Sequence, residues 1–202
     1  MEIVLATRNQ GKVAELKAML ASKGINVTSL AQHPEISDIE EDGKTFLENA
    51  RKKAHTVAKS TGCITLADDS GLVVEALGGA PGVNSARFAG KQGDYAANNE
   101  KLLKEMKDVP DGKRQAAFVC TMVLAHPKGT EWHVDGRCDG IITREYRGDG
   151  GFGFDPLFYV PEEGATMAEL PMEKKNAISH RGKALKKIYE ILIDLLRKTE
   201  KL

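Results

Sequence analysis

A chain of 202 residues with 41% hydrophobic and 29% charged residues can bury a sizeable core, yet has no apolar run long enough to span a bilayer. Lysine plus arginine and aspartate plus glutamate both total 29, so no net field would hold a long polyanion by counterion release. Neither a nucleic-acid partner nor a membrane is expected, and the opening MEIVLATRNQ lacks the charged start and long apolar middle of a signal peptide, so a cytoplasmic location is.

In chain order, residues 2–6 read as a strand and 12–23 as a helix with Val13, Leu16, Met19 and Leu20 on one face, ended by Gly24. A strand over 25–30 follows. Thr45 and Glu48 have capping-box spacing and open a helix to about Thr61, stopped by Gly62. Residues 63–67 form a strand leading into Asp68 and Asp69. Residues 78–94, GGAPGVNSARFAGKQGD, are crowded with turn formers and predict a long irregular excursion, a kind of loop that is often functional. Asp94 can cap a helix through Met106, while 116–124 and 132–143 read as paired antiparallel strands. After the Gly-rich GDGGFGFDPLF, a helix over about 182–198 carries an apolar stripe of Leu185, Ile188, Leu192, Leu195 and Leu196. Cys63, Cys120 and Cys138 are far apart, fall in strand-like segments and lack CxxC spacing, which favours buried thiols over disulfides or zinc. The order of elements predicts an α/β fold on a mixed central sheet, arranged as one domain over 1–202 with two lobes around a cleft.

Four stretches can carry chemistry. In ATRNQGK, Thr7, Asn9 and Lys12 stand between strand and helix, where free backbone N–H groups favour an anion; the same Thr7 and Asn9 would equally serve as helix caps. The stretch is not a Walker A loop, because Ala6 and Val13 replace the required Gly and Ser/Thr. In DDSG, successive strand residues face opposite ways, so one aspartate can hold magnesium or take a proton from water while its neighbour is structural; an Asx-turn with Ser70 and Gly71 is the alternative. The acidic run Asp38, Glu40, Glu41 and Asp42 is either a solvated loop or a source of metal ligands, and Lys53 either an exposed helical lysine or a phosphate partner.

In GGFGFDP, Gly151 and Gly153 are followed by Pro156, so the dinucleotide fingerprint is not met; what remains is Phe152 and Phe154 on a tight backbone beside Asp155, able to stack a nucleobase or to fill a core. In KKNAISHRGKAL, Ser179 is a credible N-cap, and His180, Arg181 and Lys175 offer donors to a keto oxygen or a phosphate. His33, His55, His126 and His133 show no HExxH spacing, so no zinc site is expected.

Together TRNQGK, DDSGL with LGGAPGVNSAR, GGFGFDP and SHRGKAL, in this order across residues 7–185, resemble the non-canonical purine nucleoside triphosphate pyrophosphatases, the inosine/xanthosine triphosphate house-cleaning enzymes. The resemblance implies an elongated inosine triphosphatase-like fold, a homodimer, and magnesium-dependent hydrolysis of ITP, dITP and XTP to the monophosphate and pyrophosphate. It also implies a triphosphate site from Thr7, Arg8, Asn9, Gln10, Gly11, Lys12 and Lys53, with Glu41 and Asp69 as metal ligands and Asp69 as proton acceptor. Ser70, Phe152, Gly153, Phe154, Asp155, Lys175, His180 and Arg181 would be the remaining substrate contacts, and Glu40 is the alternative to Glu41. Donors from Arg181 would then favour the O6 acceptor of hypoxanthine or xanthine over the amino group of adenine. A nucleotide-binding regulatory module without turnover is the rival expectation; a nucleic-acid domain, hinted at by Arg51, Lys52 and Lys53, is disfavoured by zero net charge and few aromatics.

Overall fold

The first strand, β1 (Glu2–Leu5), alternates its side chains between two cores: Ile3 and Leu5 enter one buried cluster, Val4 and then Ala6 the other. The computed structural model describes residues 2–21 and 25–199, with side chains through 194. Lys23 and Gly24 therefore lie outside the described residues, as do the side chains of Leu195 and Leu196.

The remaining strands are β2 (Asn26–Ser29), β3 (Ile64–Val74), β4 (Gln115–Ala125), β5 (Glu131–Ile142), β6 (Phe158–Val160) and β7 (Ala165–Thr166), and the described sheet has the order β2-β1-β3-β4-β5-β6-β7. It is mixed, as expected: β1 pairs in parallel with β2 and β3, while β5 with β6 and β6 with β7 are antiparallel. Among the described residues five α-helices accompany it, α1 (Gln10–Ala21), α2 (Phe46–Thr61), α3 (Tyr95–Glu105), α4 (Met172–Ile178) and α5 (His180–Thr199). None of the described helices is long and apolar enough to cross a membrane.

The chain divides into two compact units. One takes the segments up to Asp69, Cys120–Gly136 and from Arg181 onward; the other takes Ser70–Val119 and Arg137–His180. In the first unit, the face of the sheet carrying Ile3, Leu5, Leu66, Cys120, Met122 and Leu124 is covered by Leu16 and Leu20 of α1 and by Leu185, Ile188 and Leu192 of α5. The opposite face, with Val4, Ala67 and Val123, is covered by Ala50, Ala54, Val57 and Ala58 of α2. The second unit has its own core, including Leu72, Leu102, Met106, Phe118, Phe154 and Phe158.

Local signals explain most element ends. Thr45 Oγ1 accepts from Glu48 N at 3.2 Å and Glu48 Oε2 accepts from Thr45 N at 3.3 Å, which completes the expected capping box of α2. Gly62 ends that helix at φ 68°, a left-handed conformation that favours glycine. Asp94 caps α3 by accepting from Ala97 N at 3.1 Å.

Four expectations are corrected. The strand expected over 63–67 runs from Ile64 to Val74, so Asp68, Asp69, Ser70 and Gly71 lie within it and no Asx-turn forms; each carboxylate is met by cations on its own face, which lets the extended backbone continue. Cys63 precedes that strand and is half-buried, while Cys120 and Cys138 are buried, and all three are free thiols. The segment over 78–94 contains an ordered 3-10 helix, Gly82–Arg87, pinned where Leu72 N donates to Ser85 Oγ at 2.9 Å. Helix α4 was not expected, because MEKKNAI has no helical apolar period; Ser179 sits between α4 and α5 and donates its N–H to Lys175 O at 2.9 Å.

Candidate active site

The loop after β1 first organises itself. Asn9 N donates to Thr7 Oγ1 at 3.1 Å, and Asn9 Oδ1 accepts from Lys12 N at 3.2 Å, so the polar residues do cap α1, which opens two residues earlier than its apolar pattern suggests. Gln10 and Gly11 form its first turn. Capping aims the Lys12 side chain at β3, where Nζ lies 3.0 Å from Asp68 Oδ1 and 3.4 Å from the Asp68 carbonyl oxygen. Arg8 turns elsewhere: its guanidinium binds Asp38 at 3.0 Å and the carbonyls of Leu30 and Ile36 at 2.6 and 2.5 Å, fastening the segment that leads into the acidic run. The Arg8 side chain thus braces this segment from within.

Lys53 enters from α2. Its Nζ lies 2.9 Å from the same Asp68 carbonyl, 3.0 Å from Asp69 Oδ1 and 2.6 Å from Glu41 Oε1. Lys53 is 6% exposed, which decides against the exposed helical lysine. One helical turn earlier, Asn49 donates to Asp69 Oδ2 at 3.2 Å while its own Oδ1 accepts from Gly43 N at 2.8 Å, tying the acidic segment to the strand. Of the two adjacent glutamates, Glu41 is turned inward and half-buried, and Glu40 is exposed.

Alternation along β3 separates the two aspartates. Asp69 shares the α2 face with Ala67; Asp68 shares the opposite face with Leu66, where Arg181 of α5 binds Asp68 Oδ2 through Nε and Nη2 at 3.2 and 3.1 Å and binds Glu15 of α1 through Nη1 at 2.5 Å. The buried Arg181 guanidinium is thus engaged by two carboxylates, in place of the expected open donor to a base.

The charges set the protonation states. Burial works against the Lys53 ammonium, but Asp69, Glu41 and Asp68 override it and its pKa is pushed up to about 12, so it stays charged. Asp69 moves the other way: burial raises its pKa, Lys53 and Lys12 oppose this, Glu41 adds repulsion, and the outcome lies above the usual aspartate range. One ammonium shared between two carboxylates cannot fully offset both. Burial also works to raise Glu41, yet the adjacent Lys53 prevails and holds it below its ordinary value. Burial opposes the Arg181 charge as well, and Asp68 and Glu15 raise its pKa above the ordinary arginine value.

Three carboxylates (Glu41, Asp68 and Asp69) face two lysine ammoniums, and Glu41 and Asp69 converge on a single point of positive charge. Such an all-oxygen, anion-excess pair suits magnesium, which is held by one or two carboxylates together with substrate phosphates rather than by a protein cage. Among the described residues no group of three or more His, Cys, Asp or Glu could hold a metal ion.

The second unit carries the remaining residues. Phe154 is buried, with its ring meeting Phe88 edge-on at 6.4 Å, so it is core and not a stacking surface. Phe152 is half-buried, 6.1 Å from the Tyr95 ring, and Lys175 Nζ lies 5.0 Å over its centre. Asp155 Oδ2 accepts from Phe152 N at 2.8 Å and from Lys175 Nζ at 2.6 Å, closing the turn on itself. Gly151, at φ 73°, lies over that carboxylate: a Cβ there would come within 2.1 Å of Asp155 Oδ2. The His180 ring stacks on Phe118 at 4.9 Å, and Ser70 is half-buried in β3.

Sequence reasoning passed over Glu15 and Asn49. A carboxylate and an amide at buried positions of amphipathic helices were the available signals, since such groups need a bonded partner.

A mixed α/β sheet with a buried lysine–carboxylate centre beside β3 defines the class of this protein. The Ham1 family model matches residues 3–191, and the chain belongs to that family. It is 56% identical over 192 residues to the dITP/XTP pyrophosphatase of Desulforamulus reducens, covering 95% of this chain and 96% of that one. The dITP/XTP pyrophosphatase of Geobacter sulfurreducens is 54% identical over 183 residues, covering 91% and 92%. Among solved structures, a HAM1 protein from Coxiella burnetii aligns with TM-score 0.86 at 43% identity, over 96% of this chain and 99% of that one.

Proposed function

We propose that this chain hydrolyses non-canonical purine nucleoside triphosphates, dITP, ITP and XTP, to the nucleoside monophosphate and pyrophosphate, with Mg²⁺ held by Glu41 and Asp69. The observation that carries the reading is the meeting of Lys12 and Lys53 on the Asp68 carbonyl, at 3.4 and 2.9 Å, directly beside Asp69. The names of the relatives support the substrate class.

Lys12, Lys53 and the first-turn amides of α1, with Gln10 and Gly11, hold the phosphate oxygens and offset their charge. Asp69 orients a water and takes its proton as the water oxygen bonds to the α-phosphorus; the bond from that phosphorus to the α,β-bridging oxygen breaks and pyrophosphate leaves. A carboxylate whose pKa is raised by burial is a stronger proton acceptor than an exposed one. Asn49 and Lys53 fix its two oxygens. Magnesium supplies charge neutralisation on the phosphate oxygens.

Phe152 stacks the purine, Lys175 and His180 offer donors to its keto oxygen, and Asp155 keeps Lys175 in place. Ser70 of β3 is a further contact. Discrimination against adenine follows from donors facing O6, because an amino group there would leave them badly paired. The family resemblance extends the proposal to a cytoplasmic homodimer, which light scattering tests as twice the 22.0 kDa chain mass.

Replacing Asp69→Asn tests the base. Loss of one general base typically costs about 10² to 10⁴ in rate, so turnover of dITP should fall by that factor while nucleotide binding, measured by calorimetry, is kept. Pyrophosphate release near the wild-type rate would remove Asp69 from this role.

A further inference from the structure

Helix α3 carries two consecutive asparagines, Asn98 and Asn99, both buried, although asparagine is a poor helix former and a buried amide is costly unless bonded. Each amide serves the backbone of a different segment. Asn98 Oδ1 accepts from Ala89 N at 2.7 Å, and its Nδ2 donates to the carbonyls of Ser85 and Ala86 at 3.4 and 3.3 Å. Asn99 Nδ2 donates to Gly153 O at 2.9 Å, inside the Phe152–Asp155 turn. Four residues before Asn99, and so on the same helix face, Tyr95 sets its ring 6.1 Å from Phe152 at a 42° tilt. Phe88, which lies within the segment held by Asn98, meets Phe154 at the other end of the turn.

We infer that Asn99 and Tyr95 are positioning residues for the base: Asn99 fixes the peptide between Phe152 and Phe154, Tyr95 fixes the pitch of the Phe152 ring, and α3 thereby sets nucleotide affinity through Phe152. The inference deepens the proposed function and rests on its assignment of the turn to the purine. Gly153, at φ 64°, is open to conformations denied to other residues, and the Asn99 bond restrains it. A ring already held at its stacking tilt avoids an ordering cost when the base arrives.

The test uses the full chain labelled with 4-fluorophenylalanine, the Phe152 resonance being assigned by its loss in Phe152→Leu. In Asn99→Ala and in the isosteric Asn99→Asp, which loses the donor, that resonance should shift or broaden. The KM for ITP should rise about five- to a hundred-fold, the scale of one base–aromatic stack, with kcat within about two-fold. Inhibition by pyrophosphate, which has no base, should be unchanged. Should the Asn99 variants fail to fold, Tyr95→Ala, at a half-buried position, carries the same expectations. An unmoved Phe152 resonance with unmoved KM overturns the inference while leaving the activity in place, and so does a loss of kcat at constant KM, the pattern of general damage. Wild-type protein that does not turn over ITP overturns the base-binding assignment itself and the claim on affinity with it, whatever the resonance shows.

Discussion

Asp68 and Asp69 are adjacent in sequence and opposite in task. Asp69 meets Lys53 and Asn49 on the α2 face, where burial raises its pKa; Asp68 meets Arg181 and Lys12 on the other face. The Arg181 guanidinium joins Asp68 of β3 to Glu15 of α1, so its removal takes a buried cation from two buried carboxylates. Breaking a buried ion pair costs about 3–5 kcal/mol, and we expect Arg181→Met to lose stability on that scale in urea denaturation. A loss below about 1 kcal/mol, with a changed preference for ITP over ATP instead, would return Arg181 to the base-reading role first expected of it. The residues that bear charge were legible because their types fit phosphate chemistry. Their partners were harder to see: which carboxylate an arginine meets 113 positions away depends on register and helix docking, and Arg8, spent on Asp38 and two carbonyls, carries the same lesson.

At the scale of elements, α2 is joined to β5 by a surface cluster in which Glu131 meets Arg51 Nη2 at 2.6 Å and His55 Nε2 at 2.7 Å. The Arg51 hydrogen bond, against a smaller opposing effect of burial and with help from His55, holds the Glu131 carboxyl below its ordinary pKa. A depressed folded-state pKa contributes stability that is present above the unfolded value, about 4.3, and is lost as pH falls through the lowered one. Glu131→Gln should therefore flatten the fall in Tm over that acid window. The effect should shrink in high salt, since the pair is partly exposed; an unaltered acid limb at low salt would deny the cluster this contribution. Helix α2 was legible because both its ends carry local chemistry, Thr45 with Glu48 and then Gly62. The end of β3 was not legible because Ser70 and Gly71 mimic a turn, and the cations that meet Asp68 and Asp69 on their separate faces come from helices distant in sequence. Helix α4 has no apolar period and so left no signal.

At the scale of the whole molecule, the first unit is assembled from three separate stretches, and the last of them, α5, closes its core with Leu185, Ile188 and Leu192. Ile188→Ala removes a fully buried side chain and should cost about 2–5 kcal/mol, read from the denaturation midpoint. A cost under about 0.5 kcal/mol, the scale of a neutral surface change, would show that α5 does not close that core. The mixed α/β class was legible from the alternation of strand and helix patterns. Two lobes were expected, but where the two compact units divide was hidden, because the boundaries fall inside β3, β4 and β5 and no linker marks them.

The most direct test of the central claim is the identity of the product. Wild-type chain incubated with dITP and magnesium should release pyrophosphate and dIMP in equal amounts, with little turnover of ATP and none without the metal. Release of orthophosphate with dIDP, or equal rates on ATP, would contradict it.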